Sequence, residues 1–525
     1  FVVIGTIMLM SQLLGYENVG YARRGLFSGT LLYIFIFSLL TAAPFNAVLS
    51  RYMSDVIYEE RYEDILPCYD VGLLLNILLA SLLGIPFCAW EHLVGHVNLI
   101  FVFTGFCGYI ALVLVFYSML YLSICKDYQK ISLYFLTGMA AALACALFFV
   151  KVCGREIVYS MLLSLTIGFF LTAVLEYATV KRYFKRNSNR YRRVFSYFGR
   201  YWKLVVINFL YTLGLYIHNF VFWNTDLQMR VADTFVFAPT YDLATCLAMF
   251  TNLSSTIIFI TRVEMHFHTR YKAYSEAVIG GRWEDIKNTK DRMFRQLSAE
   301  LMNLVRIQFI ISTAVYLLCV VVLPQYGFSG RVMQIYPCLA AGYFILFILY
   351  AEIIFLYYFN DLTGALLATL GFCLVTWAGS VLSAGGSDLW YGMGLVAGSF
   401  TGFTIAYFRL RFMERHMDEH IFCGGQLFTG NAGEYGIYKE TEGALVYECD
   451  FNSADFSDGS GSVVPFGGHQ CVCETKTDRY DWTSVGICLG GADFNGRGLR
   501  AGGKGGGIPG GASSGSLPAA FDPAV

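Results

Sequence analysis

Apolar residues run along this chain in long, nearly unbroken stretches separated by short polar connections. Each stretch approaches the length a helix needs to cross a bilayer, about 17 to 25 residues. They recur near residues 1–15, 26–50, 70–90, 98–124, 131–150, 157–178, 204–223, 234–260, 301–323, 332–359, 362–383 and 389–408. The pattern predicts an all-α polytopic membrane protein with about twelve transmembrane helices. The first stretch is short and starts at Phe1 without a Met, so residues are expected to be missing before it; no cleavable signal is visible.

One long connection breaks the pattern. Residues 262–300 are too polar to span, yet Tyr271, Tyr274 and Val278, then Trp283, Ile286, Met293, Phe294 and Leu297, fall at helical spacings. Gly280-Gly281 interrupts them, and the simple reading is two amphipathic helices with a glycine hinge on the inner membrane face.

Composition agrees with the pattern. At 56% hydrophobic, 17% aromatic and 14% charged residues, with a mean hydropathy of +0.54, the chain of 525 residues is too apolar to be a soluble protein. Charge then orients it. If the first helix runs outward, the inner connections hold 24 Lys/Arg and the outer ones six, which predicts cytoplasmic termini. The strongest segment is KRYFKRNSNRYRRVFSYFGRYWK, nine basic residues in 23. A juxtamembrane loop facing anionic lipid explains it more simply than a nucleic-acid surface.

That basic linker, 179–203, divides the chain into a six-helix lobe over 1–178 and a second over 204–428. An internal repeat supports the division: after the second helix of each half the chain passes Arg51 or Arg262, runs through a charged segment, and reaches RYEDIL (61–66) or RWEDIK (282–287). Arg51, Arg61, Arg262, Glu264, Arg282 and Trp283 are the candidates for docking a cytoplasmic partner. From residue 424 the chain carries 23 of its 52 Gly, too little apolar surface to build a core, so 429–525 is expected to be mostly disordered. HQCVC (469–473) has metal-ligand residue types but no second pair at zinc spacing, so no metal is expected. The Cys are scattered through apolar runs without a paired framework.

No Walker A, GxSxG or HExxH occurs, and no soluble portion is large enough to house an enzyme. Transport without a cofactor is the remaining class. Within it, VFAPTYDLA (236–244) stands out, because a carboxylate at bilayer depth costs at least about 2.5 kcal/mol and normally faces a protein interior or a water-filled path.

The run from VFAPTYDLA to Gly281, VLSRYMSDVIYEERYEDILP (48–67), YIHNFVFW (216–223), YYFND (357–361) and HIFCGGQLF (420–428) together resemble the PelG family. That family is the polytopic membrane component of Pel exopolysaccharide export, related to the multidrug and polysaccharide flippases. The resemblance covers about 1–428; the glycine-rich tail departs from it. It implies two lobes facing a central cavity in a bacterial cytoplasmic membrane. It also implies a path for a hexosamine-rich polymer made by a cytoplasmic glycosyltransferase, with further membrane subunits. On that reading Asp242, His218, Asn219, Tyr241, Glu352 and Asp361 are the candidate path residues, carboxylates suiting a polymer that carries amines and aromatics suiting sugar faces. The structural alternatives are that Asp242 caps a broken helix or pairs with a buried partner, and that His218 is a packing residue. A cation-coupled small-molecule antiporter, a lipid-linked oligosaccharide flippase and a non-transporting scaffold are the rival functions.

Overall fold

The computed structural model describes residues 2–125, 127–258, 265–326 and 330–422, the side chains of 58, 253–258, 265, 266, 268, 326, 421 and 422 excepted. Arg262, Glu264, the HQCVC stretch and the tail from 429 lie outside the described residues.

The apolar runs fold as helices, and short polar residues start several of them. The first six are α1 (Val2–Leu13), α2 (Tyr21–Tyr58), α3 (Ile65–Leu93), α4 (Leu99–Ile124), α5 (Tyr128–Leu147) and α6 (Ile157–Tyr183). Asn98 caps α4 by accepting from Ile100 N, and Asp127 caps α5 by accepting from Lys130 N. The basic linker is not a plain loop: it forms α7 (Tyr191–Arg200), whose Val194 is buried. After it come α8 (Trp202–Phe222), a hairpin of β1 (Met229–Val231) and β2 (Phe235–Phe237), and α9 (Pro239–Ile258). The remaining elements are α10 (Met265–Gly280), α11 (Trp283–Val322), α12 (Gly330–Tyr358), α13 (Leu362–Ser383) and α14 (Met393–Phe422).

Two expectations need correction. The run 234–260 is not one helix: β2 occupies its start, paired antiparallel with β1 so that Met229 faces Phe237 and Val231 faces Phe235. Pro239 opens α9, because its fixed φ and missing N–H suit the first helical position. The second amphipathic segment is not a separate helix either. It continues without a break into the following span as the 40-residue α11, about 60 Å at 1.5 Å per residue, twice the hydrocarbon thickness. The Gly280-Gly281 break between α10 and α11 is where the sequence places it.

Among the described residues nine helices are long and apolar enough to cross a membrane unaided: α2 to α6, α8 and α11 to α13. The other three of the expected twelve are α1, which is short; α9, which carries Asp242; and α14, which ends in a charged turn series from Arg409 to Glu419.

The helices pack as two bundles. In the first, α1 lies on α5, α5 on α6, α6 on α4, and α4 on α2 and α3. In the second, α8 lies on α13, α13 on α14, α14 on α12, and α12 on α9 and α11. Small residues permit the closest approaches, as lipid-embedded packing requires: a Cβ on Gly168 would stand 2.7 Å from Gly138 O, and one on Gly402 2.7 Å from Leu349 Cδ2. The bundles meet where α2 packs against α8. Helix direction puts the Lys/Arg-rich connections at one end of the molecule, the basic end, and β1–β2 at the other, the hairpin end.

Candidate functional site

At the hairpin end the junction is made of aromatic rings and one carboxylate. Tyr33 of α2 stacks on Trp223 at the end of α8, with ring centroids 5.1 Å apart and planes 10° from parallel. One turn further along, Phe37 stacks on Phe220 at 6.0 Å. The Tyr33 hydroxyl donates to Val236 O at 2.6 Å and accepts from Val236 N at 3.2 Å, so it satisfies both backbone groups of a strand residue. Those groups would otherwise be costly at this depth.

Asp242 stands directly behind this contact. Its Oδ1 accepts from Asn219 Nδ2 at 2.7 Å and from Trp223 Nε1 at 3.0 Å; its Oδ2 accepts from Ala238 N at 3.0 Å and lies 3.2 Å from Trp223 Nε1. The donors come from the end of α8 and from the residue before α9, and all are uncharged. The carboxylate also sits in the first turn of α9, where the helix dipole favours negative charge. Of the two structural alternatives the sequence left open, this is a helix-start cap combined with polar pairing, and its product is a fixed Trp223 indole. The arrangement can hold the two bundles closed at this end.

His218 is fully buried between two phenols, Nδ1 2.9 Å from Tyr241 Oη and Nε2 3.4 Å from Tyr343 Oη. Tyr241 in turn stacks on Phe222 at 4.1 Å. The sequence-derived candidates Asp242, Asn219, His218 and Tyr241 therefore form one cluster. Glu352 and Asp361 do not join it through any hydrogen bond among the described residues. Glu352 is buried in α12 with Oε2 lacking a hydrogen-bond partner. Asp361 caps α13 at the basic end, accepting from Gly364 N at 2.9 Å and from both Arg409 Nε and Nη2 at 2.9 Å.

The basic-end candidates separate as well. Arg51 bridges the bundles: its guanidinium donates to Asn360 Oδ1 at 3.1 Å and lies 4.5 Å from the Tyr201 ring centre. Arg61 pairs with Asp64 at 2.7 Å. Arg282 and Trp283 are exposed at the turn between α10 and α11.

Sequence reasoning missed Tyr33, Trp223 as a ligand of Asp242, and a second carboxylate, Glu91, which accepts from Thr234 of the hairpin. Glu91 sits at the very edge of an apolar run, where a carboxylate draws no notice. Its partner is 143 positions away.

A family model described as "PelG: Putative exopolysaccharide Exporter (EPS-E)" matches residues 1–422. Among solved structures, the chain is similar to an inward-facing multidrug resistance MATE family transporter of the MOP superfamily, with a TM-score of 0.53 and 12% identity over 74% of this chain and 90% of that one. It is also similar to MATE in the bent conformation, with a TM-score of 0.52 and 12% identity over 79% and 94%. At such identity these likenesses establish the fold alone. No curated protein matches.

Proposed function

We propose, since this chain belongs to the PelG family, that it moves a Pel-like, hexosamine-rich exopolysaccharide across the bacterial cytoplasmic membrane between its two bundles. The chain is a multi-pass membrane transporter and not an enzyme. On this proposal a cytoplasmic glycosyltransferase hands over the growing polymer at the basic end, other membrane subunits assist, and both termini are cytoplasmic. The family match across the whole described membrane part carries the reading. The junction chemistry supports it: Tyr33, Trp223 and Tyr241 offer flat faces for sugar rings, and Asp242 offers a carboxylate to a passing amine once the junction parts.

The test compares two variants in a polymer-producing host. Asp242→Asn keeps the size and much of the hydrogen bonding but removes the charge, so protein should accumulate normally while secreted polymer falls. Asp242→Leu leaves Asn219, Trp223 and Ala238 N without their acceptor, at about 1–3 kcal/mol for each buried group, so protein should be lost from the membrane. Wild-type secretion from the Asn variant at equal abundance would remove the carboxylate from the path and leave it as an anchor. Normal secretion from a strain lacking the chain would end the export reading itself. Orientation is checked separately: a Lys185→Cys label site, in a background without native Cys, should react with an impermeant reagent only after the cells are opened.

A further inference from the structure

A cavity borders the aromatic junction on the side of the first bundle, with Tyr33 and Phe37 in its wall. It has a volume of about 510 Å³ and is lined by α2, α3 and α4, with Phe209 of α8 and Phe235 of the hairpin at its border. Along α2 it runs from Thr30 to Pro44, about 21 Å at 1.5 Å per residue, more than the roughly 15 Å of one leaflet in a core about 30 Å thick. Leu83 and Phe209 in its lining are exposed, so the cavity opens on the outer surface of helices apolar enough to lie in a bilayer.

Its chemistry excludes a sugar. The Thr30 hydroxyl bonds Leu26 O, the Tyr33 hydroxyl bonds Val236, and Thr41 and Tyr109 bond each other at 2.6 Å. A pyranose here would bury its hydroxyls unpaired, which costs roughly 1–3 kcal/mol each on protein scales. One lining group is different. Glu91 is fully buried, its Oε2 accepts from Thr234, and its Oε1 has no hydrogen-bond partner. A buried carboxylate oxygen without a donor is expensive, and this one lines the cavity two residues before the end of α3, at headgroup depth.

We propose that this cavity is a lateral lipid site that takes an ammonium-headed phospholipid of the bilayer, one acyl chain lying along α2 and the ammonium donating to Glu91 Oε1. Apolar length, an opening to the membrane and a single buried acceptor at headgroup depth fit that amphiphile. A choline headgroup has charge but no N–H to give, and an anionic headgroup meets a carboxylate. Because Thr234 and Phe235 belong to the hairpin, the bound lipid braces the same hairpin that Tyr33 grips. The inference does not depend on what the chain transports.

The experiment uses the full chain in bilayer nanodiscs containing equal phosphatidylethanolamine, phosphatidylcholine and phosphatidylglycerol, transferred to a neutral detergent and analysed by native mass spectrometry for retained lipid. Phosphatidylethanolamine should be retained at least tenfold over the other two. Glu91→Gln should abolish that preference, and Leu83→Trp, which fills the exposed mouth without touching the core, should abolish retention. Thr234→Val removes only the hairpin's hydroxyl and should leave the preference intact. Equal retention of the three lipids, or an unchanged preference in Glu91→Gln, overturns the proposal. So does stabilisation by dodecylamine without any phosphatidylethanolamine preference, which would make the site one for free lipophilic amines. Should Glu91→Gln fail to accumulate, Leu83→Trp still decides: undiminished retention there places the lipid elsewhere.

Discussion

Residues 61–66 and 282–287 carry nearly the same motif, RYEDIL and RWEDIK, in the same slot of the two halves, and the structure uses them differently. In the first, Asp64 is only 2% exposed. It pairs with Arg61 at 2.7 Å and Arg193 at 3.7 Å and accepts from the Ser188 hydroxyl. Ser188 N also donates to Glu63 O at 3.1 Å, and Arg186 lies 3.3 Å from Glu63. The linker between the bundles is thus folded down onto the motif. In the second, Asp285 is exposed and its Oδ2 accepts only a local bond, from Arg282 N at 3.2 Å, at the start of α11. Trp283 beside it is 60% exposed. The difference teaches that the motif supplies a helix start in both halves, while its tertiary role depends on whether another segment covers it.

The comparison can be broken most directly at the two aspartates. Asp64→Ala removes the buried acceptor shared by Arg61, Arg193 and the Ser188 hydroxyl and should cost about 1–3 kcal/mol, whereas Asp285→Ala removes one exposed helix-start bond and should cost about 0.5–1 kcal/mol. Thermal midpoints of the detergent-solubilised variants, read by size-exclusion chromatography after heating, check the ranking; equal losses would mean that the linker contributes nothing. A smaller effect comes next. Ser188→Ala deletes the hydroxyl bond to Asp64 and should cost about 1 kcal/mol, and it should cost nothing further in an Asp64→Ala background, a double-mutant cycle that measures the coupling directly. The smallest effects belong to the uncovered motif: Trp283→Ala and Arg282→Ala should change stability by no more than about 0.5 kcal/mol. If this motif docks the glycosyltransferase proposed above, both variants should still reduce its co-purification. Unchanged co-purification with unchanged stability would leave the second motif as a helix start only.

Much of the architecture was legible because lipid imposes it: an apolar run of sufficient length has few options besides a helix. The misses share a cause. The hairpin was invisible because its strands are three residues each and Phe235–Phe237 read as part of the following apolar run. Yet Pro239 three positions before Asp242 was the available sign that a helix starts there. The amphipathic half of α11 was recognised by its spacing, but Ile286, Met293, Phe294 and Leu297 are buried while Trp283 is not, since periodicity names a face and not what covers it. Asp242 could be singled out as a carboxylate among apolar residues. That its partners include an indole and an amide depended on how α8 and the hairpin fold back on it, since those residues lie 19 and 23 positions away. Glu91 and Thr234 meet across the two halves of the chain, a distance at which no local pattern speaks.

The stacked pair at the hairpin end also makes the molecule its own optical instrument. The chain has seven Trp, and among the described residues Trp223 alone is buried, at 6% exposure, while Trp90, Trp202, Trp283, Trp377 and Trp390 stand between 51% and 60% exposed. Replacing these five and Trp482 with Phe would leave the buried indole, held against the Tyr33 ring and hydrogen-bonded to a carboxylate, as the one tryptophan emitter. Any parting of α2 from α8 would separate fluorophore from neighbour and wet the indole at the same moment. Opening would then be timed from a colour shift in unlabelled protein.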